Sequence, residues 1–449
     1  MSLREIEPPT LLSITPSGTL PLAVHAVRPL SLRSNFAWVV AGNVVYAMCQ
    51  WGMIIALAKF GNSFMVGQFS LGLAVVTPVL MFSNLNLRAV QATDSHRQFR
   101  FADYLRLRVV STLAGLAVIA AIVWFGAYEQ RTAAVILALA LAKAIETLSD
   151  IHYGLFQLND RLDHTGRSMI LRGALAVVML SACLYLTRNV FWGCMWVAVA
   201  WGVTLLAFDA RRGRHLVSCT ESSGETERAG GPRKIGLLFL ALPLGIVTTI
   251  ASITFHMPRY FIHARMGEHE LGIFSALAYA TASMALVGDS LATSAVPRLA
   301  RLYAGGSLTE YRRLLLQLVT VCCAVGLCGV AVAHGIGTRL LTIFYNADYA
   351  SRSGVFTVLM VATALHSAAS MLTSGITSAR CFGIQVPLYL LVAASTAWGC
   401  ARWIPTLGLA GAALGVTFGA AVRVLLAAAV VVYLLLPGSR IRRGGATNQ

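Results

Sequence analysis

The chain has little charge and almost no lysine. Only 12% of its 449 residues are Asp, Glu, Lys or Arg, about half the fraction of an ordinary soluble domain, and lysine supplies 3 of the 35 basic residues. A sequence this poor in polar groups cannot cover a globular surface in water, which excludes a soluble enzyme. Recognisable catalytic patterns are missing too. No Gly-rich phosphate loop ends in Lys and Ser or Thr, no His-x-x-x-His pair occurs, and there is no Gly-x-Ser-x-Gly elbow. Without a nucleotide site, energy from ATP on this chain is not expected, and no cofactor or metal is implied. The nine cysteines are odd in number and scattered, mostly within apolar runs (Cys49, Cys183, Cys194, Cys322, Cys323, Cys328 and Cys400), so neither a disulfide framework nor a ligand spacing is visible. Residues 1–34 hold five prolines among polar residues and lack the basic start, apolar run and cleavage site of a signal peptide.

What the chain has is apolar length. Hydrophobic residues make up 57% of it and the mean hydropathy is +0.71, gathered into runs of about 20, long enough to cross a hydrocarbon core as helices. Stretches such as Leu113 to Trp124 and Val424 to Leu436 are apolar on every side, which a membrane β-barrel, alternating every second residue, would not be. Twelve spans are expected, at 35–57, 66–86, 109–127, 133–157, 168–186, 190–208, 235–257, 271–297, 314–335, 354–378, 384–402 and 409–436. With the N-terminus cytoplasmic, and with Arg172 and Arg402 near span ends counted with the nearer side, 25 of the 35 basic residues fall on that side and 8 on the other, the asymmetry of the positive-inside rule. The net charge of +17 therefore reads as topology and attraction to membrane lipid, not as nucleic-acid binding. The expectation is an all-α polytopic membrane protein with both termini cytoplasmic.

The polar stretch 209–234 divides the spans six and six. It suggests a mobile tail at 1–34, an N-terminal lobe at 35–208, a cytoplasmic linker at 209–234, a C-terminal lobe at 235–436 and a tail at 437–449. A repeat supports that division. Gly67-Gln68-Phe69-Ser70 opens the second span and Gly272-Ile273-Phe274-Ser275 opens the eighth, both at the outer end. A weaker echo pairs 154–161 with 375–380. Repeats of equal orientation imply two six-helix bundles related by a pseudo-twofold axis along the membrane normal, with a cavity between them.

Ionisable residues inside the bilayer cost about 2.5–3.5 kcal/mol each on insertion scales and face inward. Lys143, Glu146 and Asp150 stand at i, i+3 and i+7 on the fourth span, one helical face. They read either as the polar wall of a transport cavity, with a carboxylate that takes up a proton or sodium ion, or as a self-neutralised pair holding two helices together. Asp289 in the eighth span and Arg423 near the middle of the twelfth can neutralise each other across the second bundle. Arg88, Arg259 and Arg298 lie at span ends. A guanidinium fork suits bidentate contact with phosphate, and an anchor role is the alternative for each.

Asn84-Leu85-Asn86-Leu87-Arg88, Thr93-Asp94 and Asp103-Tyr104-Leu105-Arg106-Leu107-Arg108 resemble the region after the second span of bacterial polysaccharide and O-antigen flippases of the multidrug/oligosaccharidyl-lipid/polysaccharide exporter superfamily. So do Lys143-Ala144-Ile145-Glu146, Ser149-Asp150-Ile151 and Tyr153-Gly154-Leu155-Phe156-Gln157. Pro258-Arg259-Tyr260-Phe261-Ile262, Gly272-Ile273-Phe274-Ser275 and Pro297-Arg298-Leu299 are similar in the second half. The resemblance implies a V of two lobes around a polar cavity lined by spans one, two, seven and eight. The implied cargo is an oligosaccharide repeat unit joined through diphosphate to a polyprenol, flipped from the cytoplasmic to the periplasmic leaflet for polysaccharide biosynthesis. A polysaccharide polymerase and a chain-length regulator are the protein partners it implies. On that reading Arg88, Arg259 and Arg298 contact substrate, while Lys143, Glu146, Asp150, Asp289 and Arg423 supply ion coupling or cavity polarity. Two alternatives remain: an ion-coupled multidrug exporter of the same superfamily, whose cavity should favour acidic and aromatic residues, and a membrane polymerase or ligase, which calls for a large outer loop.

Overall fold

The computed structural model describes residues 30–94, 98–221, 234–379 and 381–436. Within them the helices are α1 (Leu32–Phe60), α2 (Ser63–Asn84), α3 (Leu87–Thr93), α4 (Phe101–Phe125), α5 (Gln130–Leu158), α6 (Leu162–Thr187), α7 (Val190–Thr204), α8 (Ala210–Glu221), α9 (Lys234–Ala304), α10 (Leu308–Phe344), α11 (Ala347–Ala350), α12 (Ser353–Ser378), α13 (Gln385–Leu407) and α14 (Leu409–Leu435). Lipid offers no partner to a bare peptide group, so crossing segments close their hydrogen bonds internally. Nine of the described helices are long and apolar enough to cross a membrane. The two arms of α9 and α13 occupy the other three expected spans.

Helix α9 runs for 71 residues because a single residue turns it. Gly267 has φ 80° and ψ −174°, a conformation open only to glycine, and it splits α9 into arms 234–266 and 268–304. Several helices overrun the expected spans. Helix α4 starts eight residues early, and α10 extends beyond both ends of its apolar run. The sixth span does not stop at 208: α7 passes through a π-helical turn at Leu205–Asp209 into α8. That places the first part of the expected linker on a helix, with Gly213 and Leu216 packed inward and Arg211, Arg212 and Arg214 outward. Residues 1–29, 222–233 and 437–449, which carry most of both tails and the rest of the linker, lie outside the described residues.

Helices α1 to α8 pack as one bundle and α9 to α14 as another. Small residues let backbones touch where packing replaces the hydrophobic effect: Gly42 of α1 lies against Gly166 of α6, and Gly399 of α13 against Gly415 of α14. The bundles meet along α2 and α9. At one end of that seam Leu85 packs on Gly245; at the other Gly67 lies on the backbone of Glu268, and Gly272 on the backbone of Ser63. These last contacts are equivalent, since 67 is related to 272 and 63 to 268 by the same offset of 205. Such a reciprocal pair is what a twofold axis produces, so the two glycines of the repeat mark where the lobes cross.

Candidate functional site

The Gly67 end is sealed by polar bridges as well as by the glycine crossing. Gln68 of α2 donates to Thr132 of α5 at 2.9 Å, and the Thr132 hydroxyl donates to Glu268 Oε1 at 2.6 Å. Trp51 of α1 donates to the Tyr345 hydroxyl at 2.8 Å, which in turn donates to the Ala276 carbonyl at 3.0 Å. Glu268 stands in the turn between the two arms of α9 and is 9% exposed. Burial pushes its carboxyl above the ordinary value, against the Thr132 hydrogen bond, and the charge of Glu129 adds to the rise. Its Oε2 is buried without a hydrogen-bond partner among the described residues.

Beyond this seal lie three adjoining cavities. One of 380 Å³ in the first lobe is lined by Tyr46, Arg88, Lys143, Glu146, Asp150 and Arg172, among others. It shares Thr77, Met81, Lys143 and Thr248 with a 490 Å³ cavity between the lobes. That one shares Ala251 and Phe255 with a cavity of 540 Å³ inside the second lobe.

In the first lobe every carboxylate on the wall is held by more than one cation. Glu146 receives Lys143 at 2.7 Å and Arg172 at 3.5 Å, and the Tyr46 hydroxyl donates to it at 2.6 Å. The Arg172 guanidinium lies over the rings of Tyr46, Tyr153 and Trp201, a desolvated arrangement that favours arginine over lysine. Asp150 is held between Arg88 at 3.3 Å and the fully buried Arg108 at 3.2 Å. Local backbone shape sets this up. Leu85 and Asn86 both take left-handed φ values of 49° and 47°, unusual for residues other than glycine. The resulting turn starts α3, placing Arg88 over the Tyr153 ring at 5.5 Å while Asn84 accepts from Arg108 at 2.5 Å.

In the second lobe a chain of four polar side chains crosses the cavity. Arg423 is 8% exposed; it donates to His366 Nδ1 and to the Tyr389 hydroxyl, each at 3.2 Å, and His366 Nε2 lies 3.7 Å from Asp289. The expected direct pairing of Asp289 with Arg423 is thus replaced by a bridge through His366. Arg259 also departs from its expected place at the outer membrane surface. Because the first arm of α9 continues to 266, Arg259 is 2% exposed, two turns inside, bonded to the Phe255 carbonyl at 3.1 Å and stacked near Phe255 and Tyr279. Among the described residues no carboxylate lies within 4 Å of Arg259 or Arg423. Arg298 is exposed near the linker end and lines none of the three cavities.

No protein-family model matches the chain. The capsular polysaccharide biosynthesis protein CapF of Staphylococcus aureus is 21% identical over 383 residues, 85% of this chain and 95% of that protein. In three dimensions the inward-facing conformation of a multidrug resistance MATE family transporter of the MOP superfamily matches 92% of this chain and 100% of its own, with a TM-score of 0.65 at 13% identity. Lipid II flippase MurJ in an inward closed conformation matches 92% and 91%, with a TM-score of 0.67 at 9% identity. The chain has the MOP-superfamily fold. The resemblance first drawn from Asn84 to Arg108 and from Lys143 to Gln157 therefore stands in sequence and in shape. A MOP fold means a multi-pass membrane protein of two helical bundles in a V, and its two structural relatives named here are a transporter and a flippase.

Sequence reasoning missed several residues that line the cavities, brace their walls or close the seal. Arg172 and Arg108 stand near the ends of apolar runs, where arginine ordinarily marks topology. Asp209 was read as linker, yet it is fully buried near Arg172. Tyr46, His366 and Tyr389 carry no signal until helices are brought together. Glu268 had one: it lies four residues before the Gly272 repeat, in the register that the repeat itself pairs with Ser63.

Proposed function

We propose that this protein flips a polyprenyl-diphosphate-linked oligosaccharide from the cytoplasmic to the periplasmic leaflet of a bacterial inner membrane, by alternating access. The observation that carries the reading is the uninterrupted run of cavities across both lobes, lined by five cations (Arg88, Lys143, Arg172, Arg259 and Arg423) and three carboxylates (Glu146, Asp150 and Asp289). A sugar and a diphosphate cannot enter hydrocarbon unaided, whereas a polyprenyl tail is at home there, so the protein need supply only a wet, cationic passage for the headgroup. Arg88, Lys143 and Arg259, along the path from the first lobe to the second, are the diphosphate ligands of this proposal. The similarity to a capsular polysaccharide biosynthesis protein supports the same cargo class, and a polymerase with its chain-length regulator would receive the product.

A cationic drug fits this lining poorly, since Glu146 and Asp150 already face two cations each. The test is a strain lacking the gene, complemented with Arg88→Ala or Arg259→Ala. Loss of surface polysaccharide at normal protein level, with lipid-linked intermediate accumulating on the cytoplasmic face, is the expected result. Normal polymer from both variants removes these arginines from the site, and unchanged polymer in the deletion strain itself removes the function.

A further inference from the structure

We propose that the cavity inside the second lobe is a subsite for an acidic sugar, with Arg423 receiving its carboxylate; this rests on the flippase reading and deepens it.

The direction of the hydrogen bonds on the cavity wall is the first ground. Thr254, Thr281, Thr363, Thr373, Thr377 and Thr396 all line it, and each donates its hydroxyl hydrogen to a carbonyl of its own helix at 2.8–3.0 Å. With those hydrogens committed, the oxygens offer the cavity lone pairs, although that of Thr377 also accepts from Gln385 Nε2 at 3.0 Å. Lone pairs call for a ligand rich in donors. Sugar hydroxyls are donors and match those oxygens, while an anionic group, which has only acceptors, finds its partners in this cavity at the guanidinium groups.

The second ground is the state of Arg423. Its Nη1 donates to His366 Nδ1 at 3.2 Å, and on the other side of the ring His366 Nε2 lies 3.7 Å from Asp289. The carboxylate of Asp289 is therefore one ring away from the guanidinium. Arg423 Nε is buried with no hydrogen-bond partner among the described residues, and the Tyr389 ring lies 5.3 Å below, holding the fork in place. A nine-tenths buried cation in the membrane, without a carboxylate in contact among the described residues, is costly unless an anion arrives. Arg259 at the rim adds a second such charge. A cavity of 540 Å³ is of the size that encloses small organic ligands, and its acceptor wall with a fixed cation complements a ring bearing hydroxyls and one carboxylate.

The test measures binding to the purified full-length protein with three probes: a glucuronic acid-containing disaccharide, its methyl ester, and geranyl diphosphate. The acid is expected to bind about tenfold more tightly than the ester, the effect of one charge-assisted hydrogen bond. Arg423→Gln should erase that preference and leave geranyl diphosphate binding intact. Should Arg423→Gln not fold, Tyr389→Phe removes one hydrogen bond to the guanidinium and must reduce the preference. Equal binding of acid and ester to the wild type, a preference untouched in the variants, or loss of geranyl diphosphate binding in Arg423→Gln overturns the subsite. Failure of the flippase reading looks different: geranyl diphosphate does not bind, or binds independently of Arg88, while the preference for the acid persists.

Discussion

Replacing Gly67 or Gly272 with alanine should pry the lobes apart at their seal. A Cβ built on Gly67 overlaps the carbonyl oxygen of Glu268 and lies 2.7 Å from its carbonyl carbon, and one on Gly272 meets the carbonyl of Ser63 in the same way, again 2.7 Å from the carbon. Ordinary carbon contacts are about 3.5–4.0 Å, and both obstacles are backbone, so no side chain can rotate out of the way. The helices must part by more than about 1 Å, and overpacking of this kind costs about 1–3 kcal/mol. Since about 1.4 kcal/mol is tenfold in an equilibrium, each substitution should shift the balance between sealed and parted lobes by about 5- to 150-fold. The two methyls act at one crossing, so the double variant should cost less than the sum of the singles. Spin labels at Arg131→Cys and Arg265→Cys, exposed positions flanking the seal on opposite lobes, read the separation in a background without native cysteines. Gly335→Ala in α10 is the control, because its added methyl meets nothing within 4 Å. An unchanged distance distribution in both seal variants would refute the assignment of this crossing as the joint between lobes.

The seal should also respond to pH through Glu268. Its carboxyl is raised above 4.5 while buried and returns toward that value once the lobes part and water enters. The sealed form is then most favoured below the ordinary value and weakens as pH rises through the raised one. Glu129, His263, His269 and Glu270, the last paired with Arg352 at 3.3 Å, are the other ionisable groups around it. Labels across the seal should show parting with rising pH in the wild type and a flat profile in Glu268→Gln; the same slope in the variant would assign the effect to the surrounding groups and refute the role of Glu268. Arg172→Lys should lower thermal stability by about 3–5 kcal/mol, the cost of breaking a buried ionic cluster, because an ammonium cannot reproduce the stacking on three rings; a melting temperature within 2 °C of wild type contradicts that. Arg298→Ala, exposed and outside the cavities, should leave polysaccharide output within twofold of wild type, measured beside Arg88→Ala at equal expression.

The fold was legible because its determinants are long-range in sequence but simple in kind. Twenty apolar residues can do little except cross a membrane, and the order of Gly67-Gln-Phe-Ser and Gly272-Ile-Phe-Ser exposed the twofold relation before any contact was known. The lining was legible only where one helix carried it: Lys143, Glu146 and Asp150 share a face by their spacing, and they do share a cavity. Depth was misjudged wherever a helix outran its apolar core. Arg259 reads as an end residue if the span stops at 257 and as an interior one if it continues to 266. Arg172 changes in the same way when α6 begins at Leu162. The sequence records hydropathy; it does not record which polar turns remain helical because a neighbouring bundle covers them.

The twofold relation holds for the frame and fails for the charges, and that failure has a consequence for transport. In the first lobe, cations converge on carboxylates through direct contacts of 2.7–3.5 Å, so each positive charge is largely compensated before a ligand arrives. In the second lobe, Arg259 and Arg423 have no carboxylate in contact among the described residues, and Asp289 faces Arg423 across His366. A negatively charged headgroup gains little from the first wall without displacing an internal ion pair, and gains more from the second, where no pair has to break. Binding at the first lobe is therefore exchange, which costs little either way and is readily reversed; binding at the second is neutralisation, which holds. A carrier must bind its cargo and also release it, and dividing the headgroup between an exchanging wall and a holding one meets both demands within a single pair of symmetric bundles.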